Sequence, residues 1–212
     1  MNILIAVPTF ESIYPDTFKA IYDLDVTGHN VEFEYVRGYD CAKARNAIAQ
    51  LAIKRKADYV LMLDNDVVIP KDGLQNLLED EKDVVFGYCA HRGSNNLYDG
   101  RTTICRLYDE KGKLYFDYTN ESMYTGQEMR KFREDGEYKI QIHGGGTACA
   151  LIKTSVFKRI KYPYFRWVEY DVTKQLSEDL FFCEQCKVAR VPIYVDSRVE
   201  CGHIFRHVQY SD

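Results

Sequence analysis

Long apolar runs are missing from this 212-residue sequence, and none approaches the roughly 20 residues that a membrane-spanning helix requires. The first eight residues, MNILIAVP, contain neither a basic segment nor a cleavage site, so we expect no signal peptide. Without a secretory signal, the seven cysteines are expected to be reduced thiols. The sequence therefore predicts a cytoplasmic protein with no membrane span.

An excess of basic charge is also missing. The 28 lysines and arginines are outnumbered by 32 aspartates and glutamates, which gives a net charge of −4. This balance makes the chain a poor candidate for binding nucleic acid without regard to sequence, or for binding membranes. Repeats and low-complexity linkers are absent too, so we predict a single domain over residues 1–212.

What the sequence does contain is a regular alternation of apolar strands and helices. Strands are predicted at residues 3–7, 31–36, 59–63 and 84–88, and helices at 15–24, 41–56 and 72–78. Such an alternation is typical of an α/β fold with a parallel sheet that helices cover on both faces.

The second half of the chain is less regular. Residues 90–143 are polar and rich in tyrosine, and within them residues 102–108 and 113–118 favour a hairpin. A strand is predicted at 148–152, a helix to about residue 160 with Thr154 as N-cap, and a helix at 178–188 capped by Ser177. Two short strands, 193–195 and 199–201, end the fold.

The strongest chemical signal is Asp64-Asn65-Asp66, which directly follows the apolar strand 59–63. Open α/β sheets bind their ligands at this end of the strands. Two carboxylates one residue apart can hold a divalent cation, and hard oxygen ligands suit Mg²⁺ or Mn²⁺. The alternative is an ordinary solvated turn, since Asp and Asn favour turns.

With this motif, the pattern of the chain resembles GT-A fold glycosyltransferases, especially the family 2-like group. The resemblance rests on the order of six segments: VPT at 7–9, ARN at 44–46, DND at 64–66, GGG at 144–146, SED at 177–179 and CGH at 201–203. It implies one Rossmann-like domain with a mostly parallel central sheet and a small β-rich insertion. Residues 1–89 would form the nucleotide-sugar-binding half, 90–143 the variable insertion and 144–212 the acceptor and catalytic half.

The resemblance also implies roles for individual residues. Asp64, Asp66 and the late His203 would hold Mn²⁺ or Mg²⁺, which bridges the diphosphate of the donor. The remaining residues expected at the donor, the transferred sugar or the acceptor are Pro8, Thr9, Glu11, Arg45, Asn46, Asn65, Gly145 and Trp167. Trp167 is the only tryptophan; it would stack on a sugar ring or, equally, pack in the core.

A carboxylate base is expected in Ser177-Glu178-Asp179, because an acceptor hydroxyl is a poor nucleophile until a base takes its proton. The position resembles the Glu-Asp motif of the family, which places Asp179 first and Glu178 second. The alternative is structural, since acidic residues in the first turn stabilise a helix through its dipole.

The cysteines offer a rival hypothesis. Cys183-x-x-Cys186 together with Cys201-x-His203 has the composition of a Cys₃His zinc site. Against it, residues 181–188 have the pattern of a continuous helix, without the glycine or proline turn that usually presents such a pair. His207 is the substitute for His203 as a late metal ligand.

The sequence thus predicts an enzyme that moves a sugar from a nucleotide-diphosphate donor, most commonly a UDP-sugar, to an acceptor hydroxyl. The acceptor remains open between a saccharide, a protein, a lipid-linked sugar and a modified nucleic-acid base, and the oligomeric state is undetermined. A nucleotidyltransferase is one alternative, but residues 8–12 lack the glycines and basic residues of its phosphate loop. A catalytically silent nucleotide-sugar-binding module is the other.

Overall fold

The computed structural model describes residues 1–38, 40–92, 98–106, 123–171 and 174–205. The helices within them are α1 (Pro15–Tyr22), α2 (Cys41–Arg55), α3 (Gly73–Glu79), α4 (Gly126–Glu134) and α5 (Glu178–Val188), with a 3₁₀ helix at Thr154–Lys158. The strands are β1 (Asn2–Thr9), β2 (Asn30–Arg37), β3 (Tyr59–Leu63), β4 (Val67–Val68), β5 (Val84–Arg92), β6 (Tyr98–Cys105), β7 (Met123–Thr125), β8 (Lys139–Ile142), β9 (Gly144–Gly145), β10 (Cys149–Lys153), β11 (Val168–Asp171), β12 (Lys174–Leu176) and β13 (Ile193–His203).

The main sheet has the strand order β2-β1-β3-β10-β5-β13-β4. Strands β2, β1 and β3 run parallel to one another, and β13 runs parallel to β5. Strand β10 is antiparallel to both of its neighbours, β3 and β5. The predicted mostly parallel α/β sheet is therefore confirmed, with one antiparallel strand in its centre.

The two faces of the sheet bury separate apolar cores, because successive side chains of a strand point to opposite sides. Leu4 and Ala6 of β1 pack with α2 and α5 on one face. Ile3 and Ile5 pack with α3 and the inner side of α1 on the other face. Helices therefore cover both faces, as predicted. No helix in the described part of the chain is long and apolar enough to cross a membrane.

Three local predictions need correction. Thr154 is not an N-cap: it is the first residue of the 3₁₀ helix, whose cap is Lys153, and its buried hydroxyl has no hydrogen-bond partner among the described residues. The two predicted C-terminal strands are one strand, β13, whose pairing with β5 shifts register between Val195 and Glu200. Of the predicted hairpin, the first arm overlaps β6, and the turn and second arm lie outside the described residues.

Helix α4 was not predicted, although the sequence carries its start signal. Thr125 and Glu128 form a capping box, in which each side chain bonds the backbone N–H of the other residue. Residues T-x-x-E are the signature of this motif.

Strand pairing brings distant segments to one end of the sheet. Near its end, β13 pairs antiparallel with β4, so that His203 lies opposite Val67 and beside the turn that follows β3. Strand β9 pairs with β6, which sets Gly145 opposite Ile104. The fold thus gathers residues from both halves of the chain around the carboxyl end of β3.

Candidate active site

The Asp64-Asn65-Asp66 turn is fixed by hydrogen bonds on both sides. The backbone N–H of Asp64 donates to the carbonyl of Ala148 over 2.9 Å. The side-chain amide of Asn65 donates to the carbonyl of Ser12 over 2.8 Å. Asn65 therefore ties this turn to the loop after β1, and Pro8, Thr9 and Glu11, at the end of β1 and in this loop, were expected to meet the donor.

Asp66 and His203 face each other across the end of the sheet. His203 Nε2 lies 3.6 Å from Asp66 Oδ2, and His203 Nδ1 lies 2.8 Å from the carbonyl oxygen of Ala90. A carbonyl oxygen only accepts hydrogen bonds, so Nδ1 is protonated; when the ring is neutral, the lone pair is therefore on Nε2, the nitrogen on the side of Asp66. Histidines that bind metals are oriented in the same way.

The two side chains, Asp66 and His203, fit a cation that takes its remaining ligands from a substrate. Within the described ranges, no group of three His, Cys, Asp or Glu side chains is arranged to hold a metal ion. Mg²⁺ sites in phosphate-transfer enzymes commonly use only one or two protein carboxylates, and substrate phosphates supply further ligands. One carboxylate and one imidazole nitrogen, from Asp66 and His203, match such a site, and both ligand types suit Mn²⁺ as well.

Arg45 lies at the centre of a second, larger group of acids. Its side chain is 2% exposed; Nη2 is 2.7 Å from Asp64 Oδ1, and Nη1 is 2.5 Å from Glu178 Oε1 and 3.4 Å from Asp179 Oδ1. Burial alone lowers the pKa of Arg45, but the charges of Asp179 and Asp64 outweigh it and hold that pKa well above its usual value. We call Arg45, Asp64, Glu178 and Asp179 the Arg45 cluster.

The two acids that begin α5 have different surroundings. Glu178 is 4% exposed, and its pKa is raised to about 7, first by burial and then by the charge of Asp179, against the opposing effect of Arg45. Asp179 is more exposed, and its Oδ1 accepts a short hydrogen bond from the Thr147 hydroxyl. Ser177 caps the helix through the backbone N–H of Leu180, as predicted.

A cavity of about 350 Å³ opens beside Asp179. Trp167, about half exposed, forms part of its wall and is therefore not a core residue. The lining residues are His91, Thr103, Cys105, Met123, Gly145, Gly146, Trp167, Gln175, Ser177, Asp179 and Leu180. Glu178 is not among them, so of the two candidate bases only Asp179 faces this cavity.

The glycine run is explained by close packing around the cavity. A Cβ atom on Gly144 would lie 2.8 Å from Cys183 Sγ, and one on Gly145 would lie 2.7 Å from the carbonyl oxygen of Thr103. Both distances are too short, so these two glycines allow β9 to sit against α5 and β6. A Cβ on Gly146 would have room, 3.9 Å from Asp179 Oδ2.

Arg45 and Asn46, two of the residues expected at the sugar donor, bond to the protein itself. Asn46 Oδ1 accepts from the backbone N–H groups of Tyr164 and Phe165. Asn46 Nδ2 donates to the carbonyls of Ala42 and Phe165. These four bonds use the full capacity of an amide side chain. Asn46 thereby attaches α2 to the segment that leads to Trp167.

The remaining expected donor residues stay together at the end of β1. Pro8 and Thr9 are buried, and the Thr9 hydroxyl donates to the Ser12 carbonyl over 2.7 Å. Glu11 is exposed, and its carbonyl accepts from the Arg37 guanidinium over 3.0 Å.

The sequence analysis missed several residues of the site. Thr147 bonds Asp179, and its place directly after the glycine run was an available signal. His91, Thr103 and Gln175 line the cavity from β5, β6 and β12. Nothing in their local sequence marks them, because only the pairing of distant strands brings them there.

The zinc alternative is contradicted by the fold. Cys183 and Cys186 belong to the core on the α2 and α5 face of the sheet, whereas Cys201 belongs to the core on the opposite face. The sheet itself separates the thiols, so they cannot share one ion. His207 lies outside the described residues.

Comparisons with known proteins concern the family and the fold of the chain. The family model Anp1 matches residues 12–166. No curated protein matches the sequence significantly. Among solved structures, A197 from STIV superimposes with a TM-score of 0.62 at 18% identity, over 97% of this chain and 87% of that one.

Two further structures share the fold. GalNAc-T7, crystallised with UDP, GalNAc and Mn²⁺, gives a TM-score of 0.63 at 12% identity, over 97% of this chain and 43% of its own. TarS 1–349 of S. aureus, crystallised with UDP-GlcNAc, gives 0.53 at 13% identity, over 99% of this chain and 60% of its own. The chain therefore spans less than two thirds of either protein.

Proposed function

The chain belongs to the Anp1 family of GT-A-like glycosyltransferases, and from this premise we propose that it transfers a sugar from a nucleotide-diphosphate donor to an acceptor hydroxyl with the help of a divalent cation. The family assignment decides against the nucleotidyltransferase alternative. The Anp1 family consists of mannosyltransferases, whereas GalNAc-T7 and TarS were crystallised with UDP or a UDP-sugar. Nucleotide donors of mannose and UDP-sugars therefore both belong in any test.

The observation that carries the proposal is the pairing of Asp66 with His203. The Ala90 carbonyl sets the histidine tautomer, so that Nε2 and a carboxylate oxygen point to the same place. Mn²⁺ or Mg²⁺ held there, with Asp64 next to it, would stabilise the negative charge that develops on the leaving diphosphate.

Asp179 is proposed as the base that takes the proton of the acceptor hydroxyl. Its Oδ1 accepts from Thr147 and faces Arg45, while its Oδ2 lies on the side of Gly146 and the cavity. The N-terminal end of α5 favours the ionised carboxylate, which is the form that accepts a proton. Trp167 would bound the acceptor in this cavity. Glu178 lies behind Asp179 and would act on its surroundings.

On the donor side, we propose a smaller set of contacts than the resemblance implied. Pro8, Thr9 and Glu11 remain candidates for the nucleobase and ribose. Asn65 would act by holding the loop after β1 in place through Ser12. Arg45 and Asn46 would serve as support, because their polar atoms are directed at the protein.

The test is a thermal-shift screen of UDP, GDP and their sugar derivatives, with and without Mn²⁺. A nucleotide at 100 times its Kd should stabilise the protein by about 2.7 kcal/mol. In Asp66→Asn we expect the Mn²⁺-dependent part of this shift to vanish while the unliganded melting temperature stays close to wild type. Asp72→Asn, which alters an exposed carboxylate before α3, is the matched control.

Nucleotide binding that depends equally on Mn²⁺ in wild type and Asp66→Asn would contradict the metal assignment. Donor hydrolysis or transfer by the wild-type chain, measured on the donor that the screen selects, separates the enzyme from a catalytically silent binding module.

A further inference from the structure

We propose that Arg45 is a built-in cation of the site: a positioning residue that fixes Asp64 and Asp179 and keeps divalent cations away from Asp64, so that Asp66 and His203 remain the cation site. The role of Arg45 in turnover rests on the proposed function. Its role in cation binding can be tested on the nucleotide-free protein, without turnover.

The first support is the burial of the arginine. Arg45 projects from the first half of α2 and is 2% exposed, and no described atom accepts a hydrogen bond from its buried Nε. Taking a guanidinium out of water costs several kcal/mol unless nearby charges compensate it. Such a residue needs its carboxylates, which distinguishes it from a surface arginine that reaches out for a ligand.

The second support is that Arg45 joins carboxylates from separate elements. Nη2 contacts Asp64 at the end of β3, and Nη1 contacts Glu178 and Asp179 at the start of α5. One rigid, planar group therefore sets the distance between the proposed metal side and the proposed base. Lysine cannot do the same, because its ammonium is a single point of charge.

The third support is the local balance of charge. Asp64, Glu178 and Asp179 surround one arginine, and Asp66 follows Asp64 by two residues. Without Arg45 these acids would form an oxygen-rich group of the kind that attracts divalent cations. With Arg45 in place, Asp64 Oδ1 already has a cationic partner at 2.7 Å.

A role as nucleotide ligand, which the family resemblance implied for Arg45, makes opposite predictions. A ligand residue would change nucleotide affinity and leave the binding of Mn²⁺ to the nucleotide-free protein unchanged. A built-in cation would change Mn²⁺ binding in the absence of any nucleotide.

The experiment is a titration of the nucleotide-free full chain with MnCl₂, followed by electron paramagnetic resonance, for wild type, Arg45→Met and Arg45→Lys. In Arg45→Met we expect affinity to rise by ~10-fold or more, or a second Mn²⁺ to bind, because removing a like charge within ~4 Å exceeds a factor of ten at a protein-like dielectric. Arg45→Lys should stay close to wild type. Equal affinity and stoichiometry in folded Arg45→Met would overturn the proposal.

Two further variants guard against a folding defect. Arg45→Met combined with Glu178→Gln removes the cation together with one of its acids; it should fold and still bind Mn²⁺ more tightly than Glu178→Gln alone, and equal binding would count against the proposal. Arg45→Lys keeps the buried charge, so its kinetics decide the positioning role: kcat for donor hydrolysis should fall by up to ~10²-fold with KM unchanged. A raised KM with unchanged kcat would instead identify a nucleotide ligand.

These outcomes differ from a failure of the proposed function. If Asp66→Asn keeps the full Mn²⁺ dependence of nucleotide binding, the metal assignment falls, whatever Arg45→Met does.

Discussion

Two groups of acids, each around one arginine, lie at different places in this molecule. In the Arg45 cluster, one arginine meets Asp64, Glu178 and Asp179 at the carboxyl end of β3. A second group, the Arg198 cluster, consists of Arg198, Asp196, Asp80 and Glu79 and joins β13 to the end of α3.

In the Arg198 cluster every nitrogen of the arginine is bonded, whereas Asp80 Oδ2 is buried without a hydrogen-bond partner among the described residues. Arg198 contacts both carboxylate oxygens of the buried Asp196, donates to Glu79 over 2.8 Å and to the carbonyl of Asn76 over 3.0 Å, and its guanidinium lies 4.9 Å from the centre of the Tyr138 ring. Every donor nitrogen of Arg198 has a partner, and such an arginine stabilises the contact between the elements that it joins.

In the Arg45 cluster it is the arginine that is bonded incompletely. The buried Nε of Arg45 has no hydrogen-bond partner in the part of the chain that the structure describes, and one of the acids, Asp179, reaches the wall of the cavity. The comparison teaches that an arginine among acids is no sign of function by itself. What distinguishes the two clusters is a carboxylate that still faces space where a substrate can lie.

The largest effect that would test this comparison is the loss of Asp179. In Asp179→Asn, sugar transfer should fall by ~10²–10⁴-fold, the usual value of general base catalysis, because the amide keeps the shape but not the basicity. Donor binding, followed by thermal shift with Mn²⁺, should barely change. Glu178→Gln, measured in parallel, should lose less, since Glu178 does not face the cavity. Full transfer activity in Asp179→Asn would mean that the base lies elsewhere.

The next effect should be one of stability alone. Arg198→Met leaves Asp196 and Asp80 buried without their cation, and breaking a buried ion pair in this way costs about 3–5 kcal/mol. Chemical denaturation should show this loss in the free energy of unfolding. Arg159→Met, at a more exposed arginine that pairs with Asp83, should lose about 1 kcal/mol or less. If the folded fraction of Arg198→Met bound the nucleotide poorly, the separation of the two clusters would be wrong.

The smallest effect concerns pH. Burial, and then the charge of Asp196, raise the pKa of Asp80 to about 6 against the opposing charge of Arg198. A carboxyl group whose pKa is raised by folding stabilises the protein below its unfolded pKa of about 4, and this contribution is lost as the pH rises through about 6.

Asp80→Asn cannot ionise, so its free energy of unfolding should fall less than that of wild type between pH 4 and pH 7.5. The difference should be roughly 1–2 kcal/mol after allowance for solvent screening. Urea denaturation at both pH values measures it, with Asp72→Asn as the exposed control. Parallel pH profiles for wild type and Asp80→Asn would refute the assignment.

Much of the fold followed from the sequence because its signals are local. The apolar run at 59–63 and the capped helix at 178–188 have the same limits in the structure. Between residues 90 and 143 the sequence predicted only part of β6, through the strand at 102–108, since β6 is held by pairing with the distant β5, β7 and β9. Helix α4 is the exception: its capping box was legible in the sequence.

The candidate site, too, was predictable in part and in part depends on packing between distant segments. Asp66 and His203 were expected together on the basis of the family resemblance, and the structure places them 3.6 Å apart. The surroundings of Arg45 could not be foreseen, because its partners come from positions 19 and 133 residues further along the chain. Whether an arginine meets a nucleotide or three acids depends on packing that no local pattern records.

The four hydrogen bonds of Asn46 have a consequence for how such a site can be re-engineered. Three of them join α2, which also carries Arg45, to the backbone of Tyr164 and Phe165, just before Trp167 enters the cavity wall, and the fourth stays within α2. A chimera that replaced the wall between residues 166 and 176 would keep this anchor and the acids that contact Arg45. One that began its exchange a few residues earlier would also change the segment to which Asn46 bonds. Residue 165 is thus a natural junction for grafting a new acceptor wall onto this scaffold.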